Sequence, residues 1–311
     1  MAPSVTVIIP TYNWSSVLPF SIGSVLRQTF TDFELLVVGD GCTDDSEAVV
    51  GRISDPRVRW INLPTNTGYQ SDPNNEGLRQ ARGQIIAYLG HDDLWLPHHL
   101  SCLISALDQG ADLAYGMFFY VMGGSDRALA RIGGETYRPG LGVPPTSVVH
   151  RRSLTDHLGG WQHYRELDTY PDLELWLRAY TANYRFAFVP RLTAIKFPAS
   201  TRCDVYKMRP CHEQAAWSQR MQTEDNFETA ELIRTINTMA AQMAVQNAQM
   251  AARDKPKPYR LLLQDFLQET RKRLMRRARS LVSRPAVAPP ARSKENAVDT
   301  AREFKGLPRM P

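Results

Sequence analysis

Long apolar runs are absent from this 311-residue sequence, and none is long enough to cross a bilayer. The longest candidate, residues 111–122, is short and is interrupted by Asp112 and Gly116. No charged segment followed by an apolar stretch precedes the first strand-like run at Val5, so we expect a cytoplasmic protein. Cysteine is scarce and forms no CxxC pair, which argues against a zinc ribbon and is typical of a reducing compartment.

Charge is unevenly distributed along the chain. Residues 255–311 carry 15 Lys and Arg against 5 Asp and Glu, a net charge of +10, and the whole chain carries +5, so residues 1–254 carry −5. An acidic body with a strongly basic tail predicts an anionic partner for the tail.

Residues 259–283 form the most regular part of this tail, a predicted amphipathic helix with a dense basic flank. Two interpretations remain open. The helix lies on an anionic membrane surface, on the inner face of the cell membrane, or its apolar stripe packs on the body and its charges face water. Interleaved aromatic residues are absent, so the pattern does not favour a nucleic-acid partner.

The first 115 residues alternate between apolar runs and helical patterns. Strands are predicted at 5–9, 33–38, 57–62 and 84–89 with a fifth beginning at 113, and helices at 17–28, from 44, at 75–82 and at 97–108. This order predicts an α/β fold with right-handed βαβ units and a mostly parallel sheet flanked by helices. Ligands bind beyond the carboxyl ends of such strands, which directs attention to the segments after Ile9, Val38 and Leu89.

The second half divides into three parts. After residue 115 we predict a loop or hairpin at 123–142, strands at 147–150, 185–189 and 193–196, and a helix at 173–182. From residue 213 the pattern is helical, and apolar residues of 229–253 fall on a heptad seam that either joins copies of the chain or packs on the body. We therefore predict a catalytic domain at 1–212, a helical extension at 213–284 and a disordered tail at 285–311.

Asp92 and Asp93 are the sharpest chemical feature. Two carboxylates at the end of a buried strand repel each other unless a cation lies between them or one is protonated. Magnesium-type cations are held by one or two carboxylates together with substrate phosphates, so the pair is a candidate metal site. The structural alternative is that the pair caps the following helix.

Two further carboxylate positions have a functional and a structural interpretation. Asp40 lies between two glycines, where its carboxylate either accepts a hydrogen bond from a base ring or belongs to a turn. Asp172 and Glu174 open a predicted helix. Each is a helix cap or, in the case of Asp172, a base that reaches an acceptor hydroxyl.

Five segments together resemble the inverting family 2 glycosyltransferases of the GT-A fold, of the type that makes bacterial surface polysaccharides. They are VTVIIPTYN at 5–13, SVLRQTF with DFEL at 24–35, GDGCTD at 39–44, IIAYLGHDDLWLP at 85–97, and GGW with PDLELWLR at 159–178. The resemblance extends from Val5 to about Lys196 and implies a GT-A domain followed by a helical extension.

The resemblance also implies roles for individual residues. Those that would bind the nucleotide-sugar donor, with a uridine nucleotide favoured, are Pro10, Thr11, Tyr12, Asn13, Asp40 and Asp92. Asp93 would ligate a divalent cation, Mn or Mg, with Asp92 beside it contacting the donor or the metal. Asp172 would be the general base, and Trp161 and Glu174 would lie in the acceptor region. The implied acceptor is a glycan or a lipid-linked sugar.

The sequence departs from the family pattern at four places. Gly39 replaces a first Asp, Gly90 and His91 replace Asp-Ser, Asn74 replaces an Arg, and Pro171 replaces an acid. These departures keep open a decayed nucleotide-sugar-binding scaffold as an alternative. A nucleotidyltransferase on a similar sheet is the other alternative, but it would need a basic, glycine-rich loop that residues 10–16 do not provide.

Overall fold

The structure, a computed structural model, describes residues 2–123, 128–131, 136–253 and 297–308. It divides into two compact units, Met1–Thr235 with Asn296–Pro311 and Ile236–Glu295. The predicted boundary after residue 212 differs from this division, because residues 213–235 belong to the first unit.

In the described part of the chain, nine strands form one sheet. They are β1 Val5–Thr11, β2 Phe33–Gly39, β3 Val58–Asn62, β4 Ile85–Tyr88, β5 Leu94–Trp95, β6 Leu113–Val121, β7 Ala128–Arg131, β8 Val148–Arg151 and β9 Phe186–Lys196. Their order is β3-β2-β1-β4-β8-β6-β9-β5, with β7 paired to β6. The strands β3, β2, β1 and β4 are parallel, and the remaining half is mixed, because β8 runs antiparallel to both β4 and β6. The α/β prediction is confirmed.

The described helices are mostly short. They are α1 Leu18–Leu26, α2 Ser46–Gly51, α3 Ser71–Gln80, α4 His99–Asp108, α5 Arg152–Leu158, α6 Pro171–Thr181, α7 Val205–Met208, α8 His212–Thr223, α9 Phe227–Arg253 and α10 Ala297–Phe304. Within these ranges no helix combines the length and apolar character needed to cross a membrane.

Both faces of the sheet are covered, which is why its strands read as continuous apolar runs. Along β1, Val5, Val7 and Ile9 face a cluster shared with α1 and α4. Ile8 points the other way, into a cluster shared with α6. Packing on both sides fixes the sheet, and with it the carboxyl ends of β1, β2 and β4.

Two predicted strands at 185–189 and 193–196 are in fact one strand, β9. It pairs with β6, and the register shifts beside Gly116 so that Val189 and Leu192 face neighbouring residues of β6. The two residues between them, Pro190 and Arg191, are exposed at this irregularity. Proline interrupts a strand pattern but is tolerated at a bulge, so the sequence suggested a break that the fold does not make.

The prediction of a disordered tail at 285–311 is wrong for residues 297–308. These residues form α10 and the turn after it, and Arg302 is buried there. The predicted basic helix at 259–283 lies outside the described residues. On α9, the seam residues Ile236, Met243 and Met250 are exposed, and their role between copies of the chain stays a prediction.

His99 provides a test of how burial affects stability. Its imidazole is fully buried and stacks on Trp95 with ring centroids 4.1 Å apart. Burial lowers the pKa of His99 to about 3. Because the unfolded chain binds this proton more readily, His99 costs stability as pH falls below about 6.

We therefore expect a His99→Phe variant to gain stability relative to the parent as pH falls. The gain should approach about 1.4 kcal/mol per pH unit between pH 6 and 4. Urea unfolding of both proteins at pH 7, 6 and 5 measures it. If the free energy of unfolding changed with pH by the same amount in both proteins, the assignment of a buried, neutral imidazole would be contradicted.

Candidate active site

Three polar segments meet at one edge of the sheet. Parallel pairing places Thr11 beside Gly39 and Ile8 beside Tyr88, so the residues that follow β1, β2 and β4 converge. This confirms that the sheet brings residues 10–13, 39–45 and 90–93 together. Pro10 and Tyr12 are partly buried in the first of these segments.

Asn13 holds the turn after β2. Its carbonyl oxygen Oδ1 accepts hydrogen bonds from the backbone N–H groups of Thr43 at 2.7 Å and Asp44 at 3.2 Å. Its own backbone N–H points at Cys42 Sγ. Asn13 adopts φ 45°, the left-handed region that Asn tolerates better than most residues. In this structure Asn13 therefore positions the 42–44 turn, and donor contact by its side chain stays a prediction.

Asp40 organises a neighbouring loop. Its buried carboxylate accepts hydrogen bonds from Thr67 N at 2.9 Å, Thr67 Oγ1 at 2.7 Å, Asn66 Nδ2 at 3.1 Å and Gly68 N at 3.2 Å. Burial raises the pKa of Asp40, and the hydrogen bonds from Thr67 and Gly68 oppose that rise. A carboxylate offers about four acceptor positions, and loop 66–68 fills them. A base contact by Asp40 stays a prediction and would require one of these donors to move.

Asp93 is fully buried and engaged on both oxygens. Lys196 Nζ lies 2.9 Å from Oδ2, Phe197 N donates to Oδ1 at 2.9 Å, and the Thr146 hydroxyl donates to Oδ2. Burial by itself lowers the pKa of Lys196, but the carboxylates of Asp93 and Asp92 more than reverse this, so the ammonium stays charged. These contacts make Asp93 the anchor of Lys196 and of the end of β9.

Asp92 is placed differently. Among the described residues, no other residue donates a hydrogen bond to its carboxylate, and only its backbone carbonyl is engaged, by Gln214 Nε2 at 3.2 Å. Burial, and then the charge of Asp93, raise the pKa of Asp92 to about 7. A buried carboxylate with no donor from another residue is costly, so Asp92 is the member of the pair that is better placed to receive a cation.

His91 belongs to a polar and aromatic cluster. Its Nδ1 lies 3.0 Å from Thr11 Oγ1 and its Nε2 lies 3.3 Å from the Tyr206 hydroxyl. The rings of Trp14 and Tyr206 pack against the imidazole. Burial lowers the pKa of His91 to about 4, so the ring is neutral at pH 7. Both nitrogens are engaged, which favours a structural role that joins β4 to α7.

Asp172 lies in the first turn of α6. Burial raises the pKa of Asp172, whereas a hydrogen bond from the Leu173 N–H and the charge of Lys196 lower it. Lys196 is thus within electrostatic range of Asp92, Asp93 and Asp172. The fold brings the predicted metal pair and the predicted base, 79 residues apart at the nearest, within electrostatic range of one ammonium group.

Trp161, predicted in the acceptor region, is buried. Its indole N–H donates to the Tyr88 hydroxyl at 3.1 Å, and its ring packs edge-on against Tyr88 and Trp176. Its backbone N–H and carbonyl are both bonded to the Asn75 side chain, each at 2.8 Å. These contacts give Trp161 a packing role, and its place in the acceptor region stays a prediction.

Glu174 forms an ion pair with Arg178, whose Nε lies 2.6 Å from Oε1. The same guanidinium donates to the carbonyl oxygens of Leu158 and Gly160. Glu174 therefore holds the glycine turn before Trp161 in place. An acceptor contact by Glu174 stays a prediction.

Lys196, Thr146 and Tyr206 were not singled out by the sequence. Each lies at the end or outside of a predicted element, and nothing in its immediate neighbours indicates a partner far away in the chain. A buried carboxylate pair does imply a cation nearby, but the sequence does not say which Lys or Arg supplies it.

Comparison with solved structures assigns the architecture. The structure superimposes on S. aureus TarS 1–349 in complex with UDP-GlcNAc with a TM-score of 0.55 and 20% identity, over 73% of this chain and 68% of that chain. It superimposes on the mannosyltransferase PcManGT from Pyrobaculum calidifontis, in complex with GDP-Man and Mn2+, with a TM-score of 0.51 and 18% identity, over 84% and 83% of the two chains. The protein has the GT-A fold of nucleotide-sugar glycosyltransferases.

Sequence comparison narrows the class. Residues 6–147 match the family described as Glycosyl transferase family 2. The E. coli UDP-Glc:alpha-D-GlcNAc-diphosphoundecaprenol beta-1,3-glucosyltransferase WfgD is 34% identical over 115 residues, which is 37% of this chain and 45% of that protein. The chain spans less than half the length of the curated relatives it matches. The match to this family agrees with the resemblance seen in the sequence, and it extends over residues 6–147.

Proposed function

We propose that this protein is an inverting glycosyltransferase that moves a sugar from a nucleotide-sugar donor to an acceptor hydroxyl. The observation that carries the proposal is that Asp92 and Asp172 both lie within electrostatic range of Lys196, near the carboxyl end of the parallel strands. One carboxylate is available for a cation and the other for a proton, which is what a single displacement at an anomeric carbon requires.

Asp172 supplies the base in this proposal. Its carboxylate takes the proton of the acceptor hydroxyl while the hydroxyl oxygen attacks the anomeric carbon. The bond from that carbon to the diphosphate oxygen breaks, and the diphosphate leaves with the electron pair. Burial raises the pKa of Asp172, which makes the carboxylate a stronger base than an exposed aspartate.

The donor side is formed by Asp92 and Lys196. Among the described residues no cluster of three or more His, Cys, Asp or Glu side chains is placed to hold a metal ion. One carboxylate together with donor phosphates suits Mn or Mg, and Asp92 fits that role. Bound there, the cation would neutralise charge on the departing diphosphate. Lys196 would add a second positive charge on the same side.

A UDP-sugar is the favoured donor, and a lipid-linked sugar of a cell-surface glycan is the favoured acceptor. Support comes from the structural neighbour in complex with UDP-GlcNAc and from the relative WfgD, whose name includes both UDP-Glc and a diphosphoundecaprenol acceptor. Such an acceptor would place the enzyme at the inner face of the membrane, and the basic segment 259–283 would supply the contact.

The test is a thermal-shift panel with UDP, GDP, dTDP and CMP, each with Mn2+ and with EDTA. A ligand at 100 times its dissociation constant stabilises the native state by about 2.7 kcal/mol. We expect UDP to raise Tm with Mn2+ and to lose most of that effect with EDTA. No rise with any nucleotide would overturn the proposal and favour a decayed scaffold.

A further inference from the structure

The segment 297–308 docks on the catalytic unit although it lies about a hundred residues beyond β9 in the sequence. The backbone N–H of Asp204 donates to the Phe304 carbonyl, and that of Tyr206 to the Lys305 carbonyl, each at 2.9 Å. Tyr206 is the residue whose hydroxyl meets His91 beside the metal pair. The segment is therefore fixed at the rim of the candidate site.

Close approach at this point depends on Gly306. It adopts φ +86°, and a Cβ there would lie 2.9 Å from Lys207 Cγ and 3.1 Å from Asp204 Cα. After it the chain turns back, so that Leu307 N donates to the Arg302 carbonyl at 3.0 Å. A glycine with positive φ followed by such a hydrogen bond is a common C-terminal cap of a helix. Here it allows the segment to pack closely against α7.

Arg302 joins the segment to the loop that holds Asp40. Its buried guanidinium donates to the Gly68 carbonyl and, at 3.2 Å, to the Pro308 carbonyl. The N–H of the same Gly68 donates to the Asp40 carboxylate. One residue of the tail thus contacts the loop that is hydrogen-bonded to Asp40, the residue that the sequence resemblance assigns to the nucleotide.

Lys305 is the residue of the segment that approaches the carboxylate pair. Its ammonium is within electrostatic range of Asp92, Lys196 and Arg302. Among the described residues, neither Lys305 nor Arg302 has a carboxylate at ion-pair distance. Burial lowers the pKa of Lys305 and so disfavours its charged form, and an anion bound beside the ammonium would offset that cost.

We infer that Lys305 binds the diphosphate of the nucleotide-sugar donor, so that segment 297–308 completes the donor site. The inference rests on the proposed function and names a residue beyond the matched family segment. Arg302 is a positioning residue that fixes the segment against loop 66–68. The bound species recognised here is a nucleoside diphosphate, and a nucleoside without phosphates would not reach Lys305.

The test measures UDP and uridine binding by titration calorimetry in Mn2+ for the full chain and its variants. We expect Lys305→Gln to weaken UDP binding about ten- to a hundredfold, as loss of a charge-assisted hydrogen bond does, and to leave uridine binding unchanged. Lys305→Arg should restore most of the UDP affinity. Lys207→Gln is the matched control, because its exposed ammonium pairs with Asp204 and makes the same charge change nearby.

The outcomes separate the two proposals. A parent protein that binds none of the four panel nucleotides overturns the proposed function itself. A parent that binds UDP, with Lys305→Gln binding it equally well, overturns only the role of Lys305. Tighter UDP binding by Lys305→Gln would also overturn it, by showing that the segment competes with the donor. Unliganded melting curves check that each variant is folded.

Discussion

An Asp172→Asn variant should bind UDP with Mn2+ as the parent does and lose turnover by about a thousandfold, the typical contribution of a positioned general base. The substitution keeps the size of the side chain and can keep the hydrogen bond from Leu173 N–H, but an amide cannot take the acceptor proton. Removing a carboxylate whose pKa is raised by burial should not destabilise the fold. We therefore expect the variant to keep the stability and the donor affinity of the parent while it loses activity.

The measurement is sugar transfer from UDP-sugars to a lipid-linked acceptor, followed by product chromatography, beside a UDP thermal shift on the same protein. Asp168→Asn is the matched control, since Asp168 is an exposed carboxylate just before α6 and should not affect either quantity. Full activity in Asp172→Asn would show that Asp172 is not the general base. Loss of UDP binding together with activity would place Asp172 on the donor side instead.

The sequence predicts the sheet edge well because local patterns determine it. Apolar runs that end in Pro10, Gly39 and Gly90 identify buried parallel strands, and the rule that ligands bind beyond such strands locates the site. The family resemblance adds Asp172, which lies outside the strand pattern. The structure brings Asp92, Asp93 and Asp172 within electrostatic range of Lys196, and the roles of the three carboxylates stay predictions.

The sequence could not distinguish the two members of the carboxylate pair. Asp92 and Asp93 are neighbours with the same chemistry in the turn between β4 and β5, and the different surroundings of their side chains exist only once β9 is placed. Lys196 and Phe197, the residues that engage Asp93, are more than a hundred positions away. Lys305 could not be predicted for the same reason. The charged, Ala- and Pro-rich tail has the composition of a disordered segment, and the surface on which residues 297–308 dock is formed by residues far away in the sequence.

Asp93→Asn and Asp92→Asn should therefore have opposite effects, although the substituted residues are adjacent. Replacing Asp93 removes the partner of the largely buried Lys196 ammonium and places an amide group against it. We expect a loss of about 3 kcal/mol in the free energy of unfolding, close to the cost of breaking a buried ion pair. Urea unfolding without ligand measures this loss.

Asp92→Asn should leave the unliganded protein as stable as the parent or more stable. Because the folded pKa of Asp92 is raised to about 7, ionising this carboxylate costs the folded state stability as pH rises from about 4 to 7, and an amide removes that cost. The gain should thus grow with pH. In exchange, the cation loses its carboxylate ligand, and the Mn2+-dependent part of the UDP thermal shift should disappear.

Comparison of the two variants shows which of the two carboxylates ligates the metal ion. If Asp92→Asn keeps the Mn2+-dependent UDP shift and Asp93→Asn is stable but loses it, then Asp93 is the ligand, as the family resemblance alone implied. Lys196 would then have to release Asp93 when the donor binds, and a Lys196→Met variant should bind Mn2+ and UDP more tightly. The contacts of Asp93 with Thr146, Lys196 and Phe197 favour the opposite result, in which Asp93 holds the site together and Asp92 performs the binding.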